Sequence, residues 1–180
     1  IYALSTAAIA SMSTAAVAGL STTQAAALST AQLRALNTAA IAAMETADLA
    51  ALGSAQIRAL TTAQLGAMAT AQMDSLSTAA TAALTTAQIA NLTTANLNAM
   101  DSAQFAALKS AQIKALTTAQ VAALETADLA ALGTAQIRAM GTAAIGALVT
   151  AEVAALSSDQ TAALTTAQLR ALSTTAIAAL

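Results

Sequence analysis

The chain has 180 residues, 58% of them hydrophobic but only 1% aromatic and 8% charged, with a formal net charge of −2. It lacks His, Cys, Trp and Pro, which excludes metal sites and nucleophiles built on His or Cys, and a single Phe and a single Tyr cannot fill a globular core. The near-neutral balance leaves no basic footprint for nucleic acid, and a Thr or Ser breaks every apolar run well before the ~18 residues of a membrane-spanning helix.

About a third of the residues are Ala, and they fall in a fixed rhythm. From Ser5 to Leu180 the chain is 22 in-phase units of eight, x-[T/S]-A-Q-[I/L/V]-x-A-[L/M], for which Thr117–Leu124 (TTAQVAAL) is typical. The eighth column is Leu or Met in every unit and the second is Thr or Ser, with Ser at Ser54, Ser102, Ser110 and Ser158. The fifth is apolar except at Thr81 and Thr161, and includes Ala25 and Phe105. Residues 1–180 therefore read as one continuous repeat array whose units are held by their neighbours, with a narrow Leu and Ile ladder in place of a globular core. Ile1-Tyr2-Ala3-Leu4 is the second half of an octad and Leu180 ends in phase, so the chain reads as a window of a longer array.

Taken in order, the octads predict one very short helix each. Eight residues at about 100° per residue carry the Leu column ~80° past two full turns, so an unbroken helix would lose its apolar face within a few octads. The helix must break once per unit, and the Ser/Thr pair is the break. Ser29, Asn37, Thr61, Asp101, Thr117 and Gly141 in the first column suit an N-cap, and Gln three residues later completes the capping-box pattern. Glu45, Ala69, Lys109, Glu125 and Val149 suit it poorly, so the second-column Thr or Ser is expected to cap there. About six helical residues follow, too few to stand without stacking. Blocks recur as well: Glu45–Leu60 returns almost unchanged as Glu125–Met140.

The fold class expected is an all-α solenoid, a superhelix of very short capped helices, one per octad. The alternative is a β-solenoid in which the first Ala, the Ile/Leu and the final Leu point inward. That spacing resembles pentapeptide-repeat proteins, as at Ala47-Asp48-Leu49 and Ala127-Asp128-Leu129, and sets Arg34, Asp48, Asp74, Lys114, Arg138 and Glu152 outward. Against it, the sixth column is mostly Ala, which strands disfavour, and the corners lack the Gly and Asn of tight turns.

No catalytic, cofactor-binding or metal-binding residue is expected, and no cofactor. Glu45 with Asp48, and Glu125 with Asp128, stand three apart and can share a helix face, but near a helix start they read as solvated acids favoured by the dipole. Arg34, Arg58, Arg138 and Arg170 share the sixth column with Lys114, either as a ligand-binding stripe or, more simply, as solubilising charges. Met44, Met68 and Met100 read as core fill, Phe105 as a large guest in the Ile column, and Tyr2 as an exposed residue. The Thr column, tied to the backbone as cap or corner, would alternatively form a Thr/Ala ladder resembling ice-binding faces.

The consensus unit LTTAQIAAL resembles the Ala/Thr-rich octad repeats of large bacterial surface and secreted proteins, including regions beside adhesins. That resemblance implies an extended element outside the cell or on its surface. The unit's opening also resembles the helix start LTPEQVVAI of transcription-activator-like effectors, but Pro and the basic character are missing, so no DNA function is carried over. The expected function is a non-enzymatic rod, filament or adhesin stalk that associates with itself end to end or side by side. The alternative is a surface binder such as an ice-binding protein.

Overall fold

The computed structural model describes every residue except Tyr2, so the expectation for Tyr2 lies outside the described residues. Among the described residues there are twenty-two α-helices of four to six residues and no strand, running from Thr6–Ala10 to Thr174–Ile177 with one helix in each octad. The all-α reading holds and the β-solenoid does not.

The chemistry of the first column explains each start. Ser29 has extended backbone (φ −70°, ψ 160°) and its Oγ accepts from the Gln32 N–H at 3.2 Å. Asn37 Oδ1 accepts from Ala40 N–H at 2.8 Å, and Thr61 Oγ1 from Gln64 N–H at 3.1 Å. Where the first residue cannot cap, the sequence assigns the cap to the second-column Thr or Ser, and the structure does not. At Glu45, Ala69, Lys109, Glu125 and Val149 the first column still holds the N-cap position, without a side-chain bond, and the next residue is already helical. A cap needs extended backbone so that its side chain can reach forward over the first turn, and a residue inside that turn lacks it.

Each helix closes with the eighth-column N–H donating to the fifth-column carbonyl, as Leu36 to Leu33 at 3.3 Å. The chain then turns through two extended residues, Leu36 (φ −63°, ψ 138°) and Asn37 (φ −75°, ψ 167°). The redirection therefore spans the Leu and the first residue of the Ser/Thr pair. No described residue has positive φ, which is why these corners need no glycine.

Contacts divide the chain into two compact units, Ile1–Leu92 and Thr93–Leu180. Inside each, a helix packs on the third helix after it. In the first unit Thr6–Ala10 meets Thr30–Ala35, which in turn meets Ser54–Ala59, and Thr14–Ala18 meets Thr38–Ala43. In the second, Ser102–Ala107 meets Thr126–Ala131, Ser110–Lys114 meets Thr134–Ala139, and Thr142–Gly146 meets Thr166–Ala171. Three octads thus make one coil, and residues 24 apart lie above one another.

The core of each unit is built from the fourth, fifth and eighth columns. Leu33, Ile41, Leu49, Ile57 and Leu97 are wholly buried, as is Phe105, and Met44, Met68 and Met100 fill the Leu column as expected. Thr81 is also buried in the Ile column, its Oγ1 donating to the Ser77 carbonyl at 3.1 Å. The first three columns and the sixth face outward in most octads, so the first Ala, inward in the strand reading, is exposed.

Two sixth-column glycines differ in what a methyl would meet. A Cβ on Gly66 meets nothing within 4 Å, whereas one on Gly146 lies 2.9 Å from the Ala171 carbonyl oxygen of the next coil. Gly66→Ala is expected to stabilise by about 1 kcal/mol through helix propensity. Gly146→Ala is expected to destabilise by about 1–2 kcal/mol as the coils are forced apart. Denaturant midpoints of the two variants, moving in opposite directions from the parent, check this.

Candidate functional site

The chemistry of the fold is concentrated in the fourth column, where Gln performs two tasks. Within its own octad, Gln64 Oε1 accepts from the Thr61 N–H at 2.8 Å. Its Nε2 donates into the previous coil, to Leu33 O at 2.8 Å and Leu36 O at 2.7 Å. Gln88 repeats this on Ile57 (3.0 Å) and Leu60 (2.7 Å). In the second unit Gln160 binds Leu129 (3.0 Å) and Leu132 (2.7 Å), and Gln168 binds Ile137 and Met140, both at 2.9 Å. In these four the partners lie 31 and 28 residues earlier, at the corner beneath the helix that carries the Gln, and Gln56 reaches the same corner through Ala26 (3.1 Å) and Leu28 (2.7 Å). These amides are buried, so each bond satisfies a carbonyl that water does not reach.

The first-column residue does not decide this. Gln56 Oε1 accepts from Gly53 N–H at 2.7 Å, Gln72 from Ala69 at 2.8 Å and Gln112 from Lys109 at 2.7 Å, although none of those residues can return a cap bond. The capping box predicted for Gln is therefore half of its role. The other half is its tie to the previous coil, which joins residues too far apart in the chain for any local pattern to show.

Of the four acids expected to be solvated, Glu45 and Glu125 are exposed but Asp48 and Asp128 are not. Asp48 and Asp128 occupy the Gln column and are 1% and 5% exposed, and each has an Oδ2 without a hydrogen-bond partner. Glu152, in the same column, is buried too, its Oε2 accepting from Val149 N–H at 2.6 Å. The strand reading that sets Asp48 and Glu152 outward is corrected likewise. Glu45 and Glu125 lie outside on exposed N-cap positions, so neither carboxylate pair converges on a cleft. Burial, and then the neighbouring Glu125 charge, push the Asp128 carboxyl up to about 6 against the Glu125 backbone N–H, which lowers it. Burial likewise raises the Glu152 carboxyl, opposed by its bond to Val149.

Asp48→Gln supplies the amide that elsewhere in this column donates to carbonyls 31 and 28 residues earlier, which for position 48 are those of Val17 and Leu20. The expected result is a gain of about 1–2 kcal/mol at neutral pH, since an unsatisfied buried acceptor becomes a satisfied donor pair. Urea unfolding at pH 7 measures it, and an unchanged midpoint would show that Asp48 already has a compensating partner.

The basic residues do not form one stripe. With three octads to a coil, Arg34 and Arg58 stack on one face of the first unit and line a shared shallow groove with Thr30, Ala31, Ala55 and Ala59. Lys114 and Arg138 stack within the second unit, while Arg170 belongs to a different face there. Two of the arginines also tie coils together, Arg58 Nε donating to Ala83 O at 3.4 Å and Arg138 Nε to Ala163 O at 3.3 Å. Asn98 Nδ2 does the same to Ala123 O at 2.6 Å, leaving its Oδ1 buried and unpaired. The sixth column thus adds rim bonds between coils as well as charge. Among the described residues, no cluster of three or more acids suits a metal ion, and no helix is long and apolar enough to cross a membrane.

Short helices capped by Ser, Thr, Asn or Asp, three to a coil and tied coil to coil through buried Gln, define an all-α solenoid. The family model of the ALTTAQ repeat matches residues 1–30, 41–78, 65–94, 81–118 and 121–158, and the chain belongs to that repeat family. No curated protein and no solved structure matches the chain.

Proposed function

We propose that this chain is a non-enzymatic structural element, a stiff rod that serves outside the cell or on its surface as a stalk or filament and associates with copies of itself. The observation that carries this reading is the Gln tie repeated at a spacing of one coil, as in Gln64 to Leu36 and Gln88 to Leu60. Such a device extends without limit, because each coil offers the next the same carbonyls it uses, and stability then grows with the number of coils. An outward skin of Thr and Ala, broken by few charges, supplies the surface for side-by-side contact. Electron microscopy of arrays of different octad number tests it. Particles whose length scales with octad number, joining end to end or laterally as concentration rises, are expected. Compact particles of constant size, or rods that stay single at millimolar concentration, would overturn the rod or the self-association respectively.

A second reading is favoured by one observation. The second-column Thr or Ser is not the cap, so capping does not account for that column, and Thr30 and Ala31 stand outward together beside Ala55 of the next coil. A Thr/Ala surface of this kind would suit ice. Thermal hysteresis lost on Thr30→Lys would support it, and its absence in the parent chain would dismiss it.

A further inference from the structure

We propose that Asp128 and Glu152 form a proton-operated clasp between successive coils of residues 93–180, closed when the carboxyls are protonated and loosened when they ionise. The argument rests on what their column does elsewhere. In the same unit Gln136, Gln160 and Gln168 each place an oxygen on the N–H of their own octad's first residue or serve its corner, and donate Nε2 to carbonyls 31 and 28 residues earlier. For Glu152 those carbonyls belong to Val121 and Leu124, and for Asp128 to Leu97 and Met100. Glu152 already uses Oε2 as Gln uses Oε1, which leaves its second oxygen as the counterpart of the amide nitrogen in the side chain's covalent pattern.

An ionised carboxylate has no hydrogen to give, so acceptor would face acceptor in a buried site. A protonated carboxyl is both acceptor and donor, and Glu152 then reproduces the Gln pattern with one O–H in place of the two amide N–H groups, enough for one of the two corner carbonyls. Asp128 is one methylene shorter and 5% exposed, and its unpartnered Oδ2 marks the same lack of a donor.

The surroundings reinforce the effect. The helix Thr126–Ala131 packs against Ser102–Ala107 and Thr150–Ala154. The charged residues these three octads bring are Asp101, Glu125, Asp128 and Glu152, all acidic. The helix Thr174–Ile177, packed on the far side of Thr150–Ala154, and the corners of residues 97–100 and 121–124 carry no titratable side chain. The charges acting on Asp128, those of Glu125 and then Asp101, both favour its protonated form.

The sign follows. The folded Asp128 carboxyl titrates near 6, above its usual 3.8, so its stabilisation is complete below about pH 4 and is lost as pH rises through about 6. Glu152 shifts in the same direction. The clasp thus tightens the coils in acid and loosens them towards neutrality.

Two measurements on the full chain test this. Carboxyl ¹³C NMR should show Asp128 titrating near 6 and Glu152 above the ordinary Glu range. The urea midpoint should rise between pH 8 and pH 5. The pair of substitutions Asp128→Asn and Glu152→Gln, residue types the same column carries at Asn96 and Gln160, should raise the midpoint at pH 8 and flatten most of that rise. Ordinary carboxyl titrations in the parent chain would overturn the proposal without any variant, and so would a doubly substituted chain that keeps the parental pH response.

Discussion

Replacing Gln64 by Leu is expected to destabilise the first unit by about 2–4 kcal/mol while leaving its shape nearly unchanged. Leu matches the buried amide in size, so the loss isolates the hydrogen bonds. The carbonyls of Leu33 and Leu36 lose a donor at 2.8 and 2.7 Å, and the Thr61 N–H loses its acceptor. Water cannot replace the first two, because Gln64 is 2% exposed and both carbonyls face it. Gln24 supplies the contrast: it is exposed, and the bonds described for it lie within its own octad, to Ser21. Gln24→Leu is expected to cost about 1 kcal/mol or less. Hydrogen exchange on both variants checks the mechanism. Gln64→Leu should open amides near residues 33–41 as well as those near residue 64, whereas Gln24→Leu should affect only its own octad. Equal losses for the two would show that Gln acts through capping alone.

Phe105→Ala carries the other large effect, about 3–5 kcal/mol. Phe105 is the largest wholly buried side chain, and its helix Ser102–Ala107 packs against Thr126–Ala131. Neighbouring helices are fixed by their own caps and by Gln136, which donates to the Phe105 carbonyl at 3.1 Å, so the cavity collapses only in part. In a nearly one-dimensional array the damage is local. Thermal unfolding should become broader, with the amides of residues 102–131 exchanging first. A variant that unfolds as cooperatively as the parent, with protection lost evenly along the chain, would contradict this picture of coil-by-coil stability.

Much of this architecture is written in local chemistry. The octad period, the mismatch between eight residues and the helical turn, and first-column caps such as Ser29 and Asn37 are enough to predict one short helix per unit and an apolar ladder of Ile and Leu. The role of Gln was only half legible, yet a signal was present. Gln56, Gln72 and Gln112 follow Gly53, Ala69 and Lys109, none of which can form a capping box, so capping alone never accounted for the column. The buried acids were misread for the same reason. Near a helix start Asp48 and Asp128 look like favourable surface charges, and only their place in the Gln column says that they point inward.

The sequence by itself determined that each octad makes one short helix, and where that helix begins wherever the first residue can cap, because caps, helix propensity and apolar period act over a few residues. Tertiary structure alone decided that three helices make a coil. The turn angle at two extended residues such as Leu36 and Asn37 sets that number, and no residue type encodes such an angle. That number in turn decides which residues meet. It stacks Arg34 on Arg58, sets Arg170 on a different face from Lys114 and Arg138, and brings Gln64 to the carbonyls of Leu33 and Leu36. Hydrogen bonds across 28 and 31 residues exist only once the coil has closed, so they lie beyond the reach of any local pattern.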